Sequence, residues 1–332
     1  MSTRLAALAT VSAIMFMLIN PVPAWAHIAG SGGSPSNYQA TVTGIQPAAP
    51  TVGVTVGVGG QWVRVANQGA AEIVIVGYRG EPFLRLSGNR VEVNQLSSTA
   101  AETGQIPGAP ALADPSAEAR WVQLRDGDSA TWTDNRIDPE PQGDQEASGS
   151  WELPLLVDGR QVTVLGTWER VPPPSPWPWL VALGLLAAAI ASIGWRRDWH
   201  RPMAAVIAGG ILAFVLHLLG TGFAPQQGGP VFGWIGVGAV GAFSMLIGAV
   251  ALISTLRGSE SAPDRVITVG IMVLLLAATD ISVLWNSQLP FAGPAVLDRA
   301  LTAITYATAL GLLVAGGRLV RQRSLARRSQ GE

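Results

Sequence analysis

The hydrophobic pattern of the chain changes character near residue 172. Before that point, apolar and polar residues alternate in short runs separated by turn signals, the two-residue period of strands that bury one face. Ten such runs stand out, at 38–45, 52–58, 61–66, 72–76, 83–86, 90–94, 120–124, 129–133, 151–157 and 160–168. Val91 and Val93 fall on one face, with Arg90, Glu92 and Asn94 on the other; Ala130 and Trp132 likewise oppose Ser129, Thr131 and Thr133. Asp158-Gly159 separates the last two runs and predicts a two-residue hairpin. No run in this half has a helical period. Residues 27–170 are therefore expected to form an antiparallel β-sandwich or barrel-like domain. The Ala/Pro/Gly-rich stretch 97–119 reads as an irregular loop, and the proline-rich segment 171–176 as a short stiff linker.

From residue 177 the polar half of the pattern disappears. Five apolar runs follow, at 177–195, 203–223, 231–256, 266–289 and 300–317. Each is long enough, as a helix, to cross a hydrocarbon layer about 30 Å thick. The expected fold class is an α+β membrane protein, an exported β-domain followed by a five-helix transmembrane bundle. Gly233, Gly236, Gly238 and Gly241 predict a close-packing ridge on the third run. The amino end carries Arg4, an apolar stretch over 5–19 and Ala24-Trp25-Ala26, the three parts of a secretory signal, which predicts a signal peptide over 1–26 and a mature chain beginning at His27. Arginines orient the bundle. Arg196, Arg197, Arg201, Arg257, Arg265 and the tail residues Arg318, Arg321, Arg323, Arg327 and Arg328 all fall on one side, against Arg299 alone on the other. The positive-inside rule then predicts a multi-pass plasma-membrane protein with an extracytoplasmic amino-terminal domain and a cytoplasmic tail over 318–332. Trp177, Trp179, Trp195, Trp199 and Trp285 fall at the expected interfaces.

Composition narrows the chemistry. Hydrophobic residues make up 48% of the chain and charged ones 13%, an imbalance that follows from the apolar runs. With no cysteine, thiolate metal sites, disulfides and cysteine nucleophiles are excluded. Between His27 and Pro172, sixteen carboxylates face nine arginines, a balance unsuited to nucleic acid. The expected partners are the lipid bilayer and another envelope or membrane protein. There is no Walker loop, dinucleotide fingerprint or metalloprotease motif, and no Ser/His/Asp set can be assembled in a domain whose one histidine is terminal. The expectation is of a non-enzymatic protein.

Three groups of residues remain as candidates. His27, once terminal, could chelate copper through its amine and imidazole, with a carboxylate such as Asp134 completing the set. His217 and Asp280 are polar intruders in apolar runs at similar distances from their outer ends, and an intramembrane carboxylate needs a partner, either His217 or Arg299. The third group is Tyr78-Arg-Gly-Glu81-Pro-Phe-Leu-Arg85 with Trp132-Thr-Asp134-Asn-Arg136. Here the chain resembles a family of uncharacterised actinobacterial membrane proteins with a signal peptide, an exported domain carrying GY-x-G-EPYLR-like and WHDHR-like segments, and carboxy-terminal membrane helices. Gly77, Tyr78, Glu81, Pro82, Arg85, Trp132, Asp134 and Arg136 match that pattern. An all-arginine basic set fits such a GC-rich source. The family's histidines imply a metal site linked to copper handling, but Thr133 and Asn135 stand in their places. The structural expectation for these residues is Trp132 in the core, with Glu81, Asp134 and Arg136 as an ion pair fixing a loop. Two functional expectations follow: a β-domain that binds or scaffolds a partner at the outer membrane face, or an accessory copper-handling protein using His27.

Overall fold

A computed structural model of the chain describes residues 33–105, 114, 116–138, 147–224 and 230–329, with side chains at 230–233 excepted. The segment expected to be a signal peptide and His27 lie outside the described residues.

All ten alternating runs form strands. They are β1 Tyr38–Gln46, β2 Val52–Val56, β3 Val63–Asn67, β4 Ile73–Val76, β5 Pro82–Ser87, β6 Arg90–Asn94, β7 Trp121–Asp126, β8 Ser129–Trp132, β9 Ser148–Val157 and β10 Arg160–Arg170. A seven-stranded sheet runs β1-β10-β9-β4-β5-β6-β7 and a three-stranded sheet β2-β3-β8, with every pairing antiparallel. The alternation sets which face each strand buries: Val91, Val93, Ala130 and Trp132 all lie inside. Residues of both sheets make up one core, and Phe83 of β5 meets Trp132 of β8 edge to face at 5.7 Å. Asp158 and Gly159 both have positive φ, 48° and 74°, the turn that matches strand twist in a two-residue hairpin. That register sets Trp151 opposite Gly166 and Trp168 opposite Gly149, and each indole lies where a glycine Cβ would be. The tight turn and the two indole-on-glycine pairs pin β9 to β10, both pairs lying on the core face.

The stretch 97–119 departs from expectation. It contains a short helix, α1 Ser98–Glu102, because Ser97 accepts the Ala100 N–H at 3.1 Å as an N-cap.

The apolar half is helical: α2 Trp177–Ser192 with a 3-10 turn Ile193–Trp195, α3 His200–Phe223, α4 Pro230–Leu256, α5 Ala262–Leu276, a 3-10 turn Asp280–Leu284, and α6 Ala295–Ser329. Helix α6 packs against α2, α3 and α5, while α4 packs on α3 and α5. Four of these helices, all but α5, are long and apolar enough to cross a membrane. The run 266–289 is not the single helix expected from its hydropathy. It breaks after Leu276 into the 3-10 turn, and α5 with its 15 residues spans only about 22 Å. The break persists because other elements satisfy the backbone it frees. Tyr306 donates its hydroxyl to Ala277 O, and the Arg299 guanidinium donates to Val283 O (3.2 Å) and Asn286 O (2.7 Å).

Two glycines of the expected ridge make no close contact: a Cβ at Gly238 or Gly241 would meet open space. On the same helix it is Gly248 that abuts Ile211, and around α6 Gly210 abuts Thr308, Gly311 abuts Ile190 and Gly316 abuts Ile267. Arginines of the carboxy-terminal segment extend α6 as helix. Arg323 pairs with Asp264 at 2.7 Å, Arg327 with Glu260 at 3.0 Å, and Arg318 covers the Trp195 ring. All of this lies at the end of the bundle remote from the β-domain. At the near end the domain is fastened to the segment between Leu284 and α6. Ser36 and Gln288 exchange two backbone hydrogen bonds of 2.9 and 2.8 Å, and Asn37 Oδ1 accepts from Ser287 N at 2.9 Å.

Candidate functional site

Two clusters collect the polar residues singled out in the sequence. In the β-domain, the β4–β5 turn carries Glu81 inward, where it is 2% exposed. Its Oε1 accepts from Ser97 Oγ (2.9 Å), Ser98 Oγ (3.1 Å), Thr99 N (3.0 Å) and Thr99 Oγ1 (2.8 Å), and its Oε2 from Arg79 N (3.0 Å). The carboxylate thus caps the start of α1 with four donors on one oxygen. Burial alone would raise its pKa, but the Thr99 N–H and the ring of hydroxyls outweigh burial and hold it at about 2. Gly77 is required for this approach, since a Cβ there would sit 2.5 Å from both the Glu81 carboxyl carbon and Thr99 Oγ1.

Asp134 is fully buried beside this cap. It accepts from Trp132 Nε1 (2.9 Å) and from Arg136 through N (3.0 Å), Nε (2.9 Å) and Nη2 (2.7 Å). Arg136 continues to Val76 O (3.1 Å) and covers the Tyr78 ring, whose hydroxyl accepts from Asn135 N at 3.0 Å. Burial, and after it the Asp134 charge, raise the Tyr78 hydroxyl above its ordinary pKa. The two motifs are therefore one cluster that ties the β4–β5 turn to the segment after β8. The expected three-residue ion pair is corrected in one member: Asp134 and Arg136 pair, but Glu81 is held by hydroxyls and backbone N–H groups rather than by a cation. Asp134, suggested as a companion ligand for His27, has its oxygens committed to Trp132 and Arg136. Arg85 pairs with Glu92 at 2.6 Å and lies over Trp121, away from this cluster.

The second cluster lies in the bundle, at the end that carries the β-domain. Helix α3 places His217 inside, 6% exposed. Its Nε2 lies 3.3 Å from Asp280 Oδ2, and its Nδ1 lies 2.6 Å from Asp298 Oδ1. Phe291 stacks over the ring, with centroids 6.3 Å apart and planes 17° from parallel. The structure thus brings His217 and Asp280 together. Arg299, the other partner considered for Asp280, instead caps the broken helix through Val283 O and Asn286 O. Asp298 was missed. The hydropathy pattern starts the last helix at residue 300, which leaves Asp298 in a loop, whereas α6 begins at Ala295 and turns Asp298 inward to 1% exposure. Its position in the first turn of a helix, where a carboxylate is favoured, was the available signal.

Chemically, the bundle cluster is suited to holding protons rather than a metal. The two carboxylates face opposite ring nitrogens, so no single ion could be bound by His217 and both aspartates. Among the described residues no group of three or more His, Asp or Glu side chains is placed to hold a metal ion.

No protein-family model matches this chain, and no curated protein and no solved structure matches it either.

Proposed function

We propose that the protein is a multi-pass membrane protein of the cell envelope whose β-domain, on the outer face, acts by binding or scaffolding a partner rather than by catalysis. One observation carries the membrane part of this reading. Of the large hydrophobic side chains left exposed among the described residues, only Val122 and Leu124 belong to the β-domain; all the others, among them Trp177, Leu185, Phe223, Leu246 and Val314, lie from Trp177 onward. A water-facing surface does not carry so extensive an apolar belt, and lipid accommodates it. The arginine-rich end of the bundle is remote from the β-domain, which supports an outside domain and an inside tail.

The binding part rests on how the polar motifs are used. Glu81, Asp134 and Arg136 are occupied with one another's neighbourhoods and hold loops in place, which supports a scaffold in preference to a reaction centre. A photo-reactive residue placed singly at exposed positions of the β-domain, such as Gln123, Arg160 and Glu169, tests this in living cells. A discrete adduct confined to one face is the expected result. The reading fails if every position is silent while the protein is abundant and runs as a monomer in native gels.

A further inference from the structure

The His217 cluster has a proton count that its geometry dictates. A neutral imidazole carries one N–H and presents a lone pair at its other nitrogen. Here each ring nitrogen faces a carboxylate oxygen, at 2.6 and 3.3 Å. With one proton in the trio, a lone pair would point at a carboxylate inside an apolar bundle, a buried polar contact with no hydrogen bond in it. Two protons remove that conflict, either both on the ring or one on the ring and one on a carboxyl. The trio then carries a net charge of −1, which the adjacent Arg299 balances.

The other groups packed around the ring leave this count intact. The 3-10 turn contributes Asp280 and Thr279, whose hydroxyl lies 3.4 Å from Asp280 Oδ1. Helix α6 contributes Asp298, Arg299 and Tyr306, the last two bound to backbone carbonyls. From α3 itself, the Thr221 hydroxyl turns back to His217 O. Neither α2 nor α4 contains a charged residue, and those of α5, Asp264 and Arg265, belong to its opposite end.

The two contacts differ in length and in access. Asp298 is short and sealed, its side chain 2% exposed; Asp280 is longer and 24% exposed. Asp280 also opens the 3-10 turn that leads to Asn286, Ser287 and Gln288, and these last two hold the β-domain at Ser36 and Asn37. We propose that Asp280, His217 and Asp298 form a proton-binding site, and that its second proton fastens the 280–288 segment, and with it the seat of the β-domain, to the bundle. When that proton passes from Nε2 to water entering beside Asp280, the Asp280 contact becomes repulsive and the seat loosens. Neither step depends on which side of the membrane the domain faces.

The test uses the full chain in neutral-lipid nanodiscs with ¹⁵N-labelled histidine, the His217 signals being assigned by their loss in His217→Gln. At neutral pH both ring nitrogens of His217 are expected to be protonated, or one to share its proton with a carboxyl in fast exchange. In Asp280→Asn the amide can donate to Nε2, so the contact survives while one ring nitrogen becomes a plain acceptor. Amide exchange over 284–290 and 34–38, corrected for intrinsic rates, should then accelerate about tenfold from neutral to alkaline pH in the parent protein and stay flat in Asp280→Asn. An unprotonated Nε2 in the parent at neutral pH, with no hydrogen-bonded carboxyl proton between it and Asp280, would overturn the proton count. Parallel exchange profiles in the two proteins would overturn the link to the seat. Should Asp280→Asn not fold, Asp298→Asn replaces it, with the same flat profile expected.

Discussion

The β-domain and the helical bundle deal with buried charge in opposite ways. In the β-domain a buried carboxylate collects its donors locally: Asp134 from Trp132 and Arg136, and Glu81 from Arg79 and from the Ser97–Thr99 corner that its own strand pair positions. In the bundle the carboxylates on His217 come from two distant elements, 63 and 81 residues along the chain, and share one ring. A locally satisfied charge stabilises a loop and stays as it is. A charge satisfied across elements depends on how those elements sit, so a change in its protonation can move them. The same contrast appears in the apolar residues, hidden in the domain and exposed on the bundle.

Substitutions should follow that contrast. The largest effect is expected from Trp132→Ala, which removes the ring between the two sheets and a donor to Asp134. Loss of about 3–5 kcal/mol is expected, read as a lower urea midpoint for the near-ultraviolet signal of the domain, with the helical signal of the bundle unchanged. Equal loss of both signals would show that the two regions unfold as one. Glu81→Gln comes next, at about 1–3 kcal/mol, because an amide group must face donors that a carboxylate accepted. This residue also sets an acid limit. Its pKa is lowered on folding, from 4.5 to about 2, so its contribution is complete above pH 4.5 and disappears as the pH falls towards 2. Acid unfolding of the parent should therefore steepen in that window, and Glu81→Gln should flatten it.

These are also the places where the sequence was most and least legible. The ten strands were readable because a two-residue period survives any register, and Asp158-Gly159 announced its hairpin through residues that tolerate positive φ. The partners of Glu81 lie in a stretch whose Ala/Pro/Gly-rich composition reads as an irregular loop, although Ser97 ahead of Thr99-Ala-Ala-Glu102 is a helix-start signal. His217 and Asp280 could be paired by their depth in apolar runs. The break after Leu276 could not be seen, because hydropathy does not record the Arg299 and Tyr306 groups that donate to the freed carbonyls. Asp298 was lost to a five-residue error at one helix boundary.

Smaller effects come from the bundle. Asp280→Leu should cost about 1 kcal/mol and Asp280→Asn less, since hydrogen bonds between membrane helices average under about 1 kcal/mol. Thermal unfolding in detergent can rank them, and a loss in Asp280→Leu as large as that in Trp132→Ala would mean that the cluster is a keystone of the fold. Smallest of all is Arg323→Ala, whose pair with Asp264 lies at the exposed end of the bundle; a change of about 0.5 kcal/mol or less is expected by the same assay.

In the proposed topology the chain is one polypeptide in two solvents, with the β-domain in water outside and the arginine end of α6 inside. The absence of cysteine allows this to be read directly. Single cysteines at Ser87, in the β5–β6 corner away from the bundle, and at Ser329, the last residue of α6, are treated in intact cells with a membrane-impermeant maleimide. Labelling at Ser87 without labelling at Ser329, and labelling of both once the cells are opened, is the predicted result; labelling of Ser329 with protection of Ser87 in intact cells would contradict it.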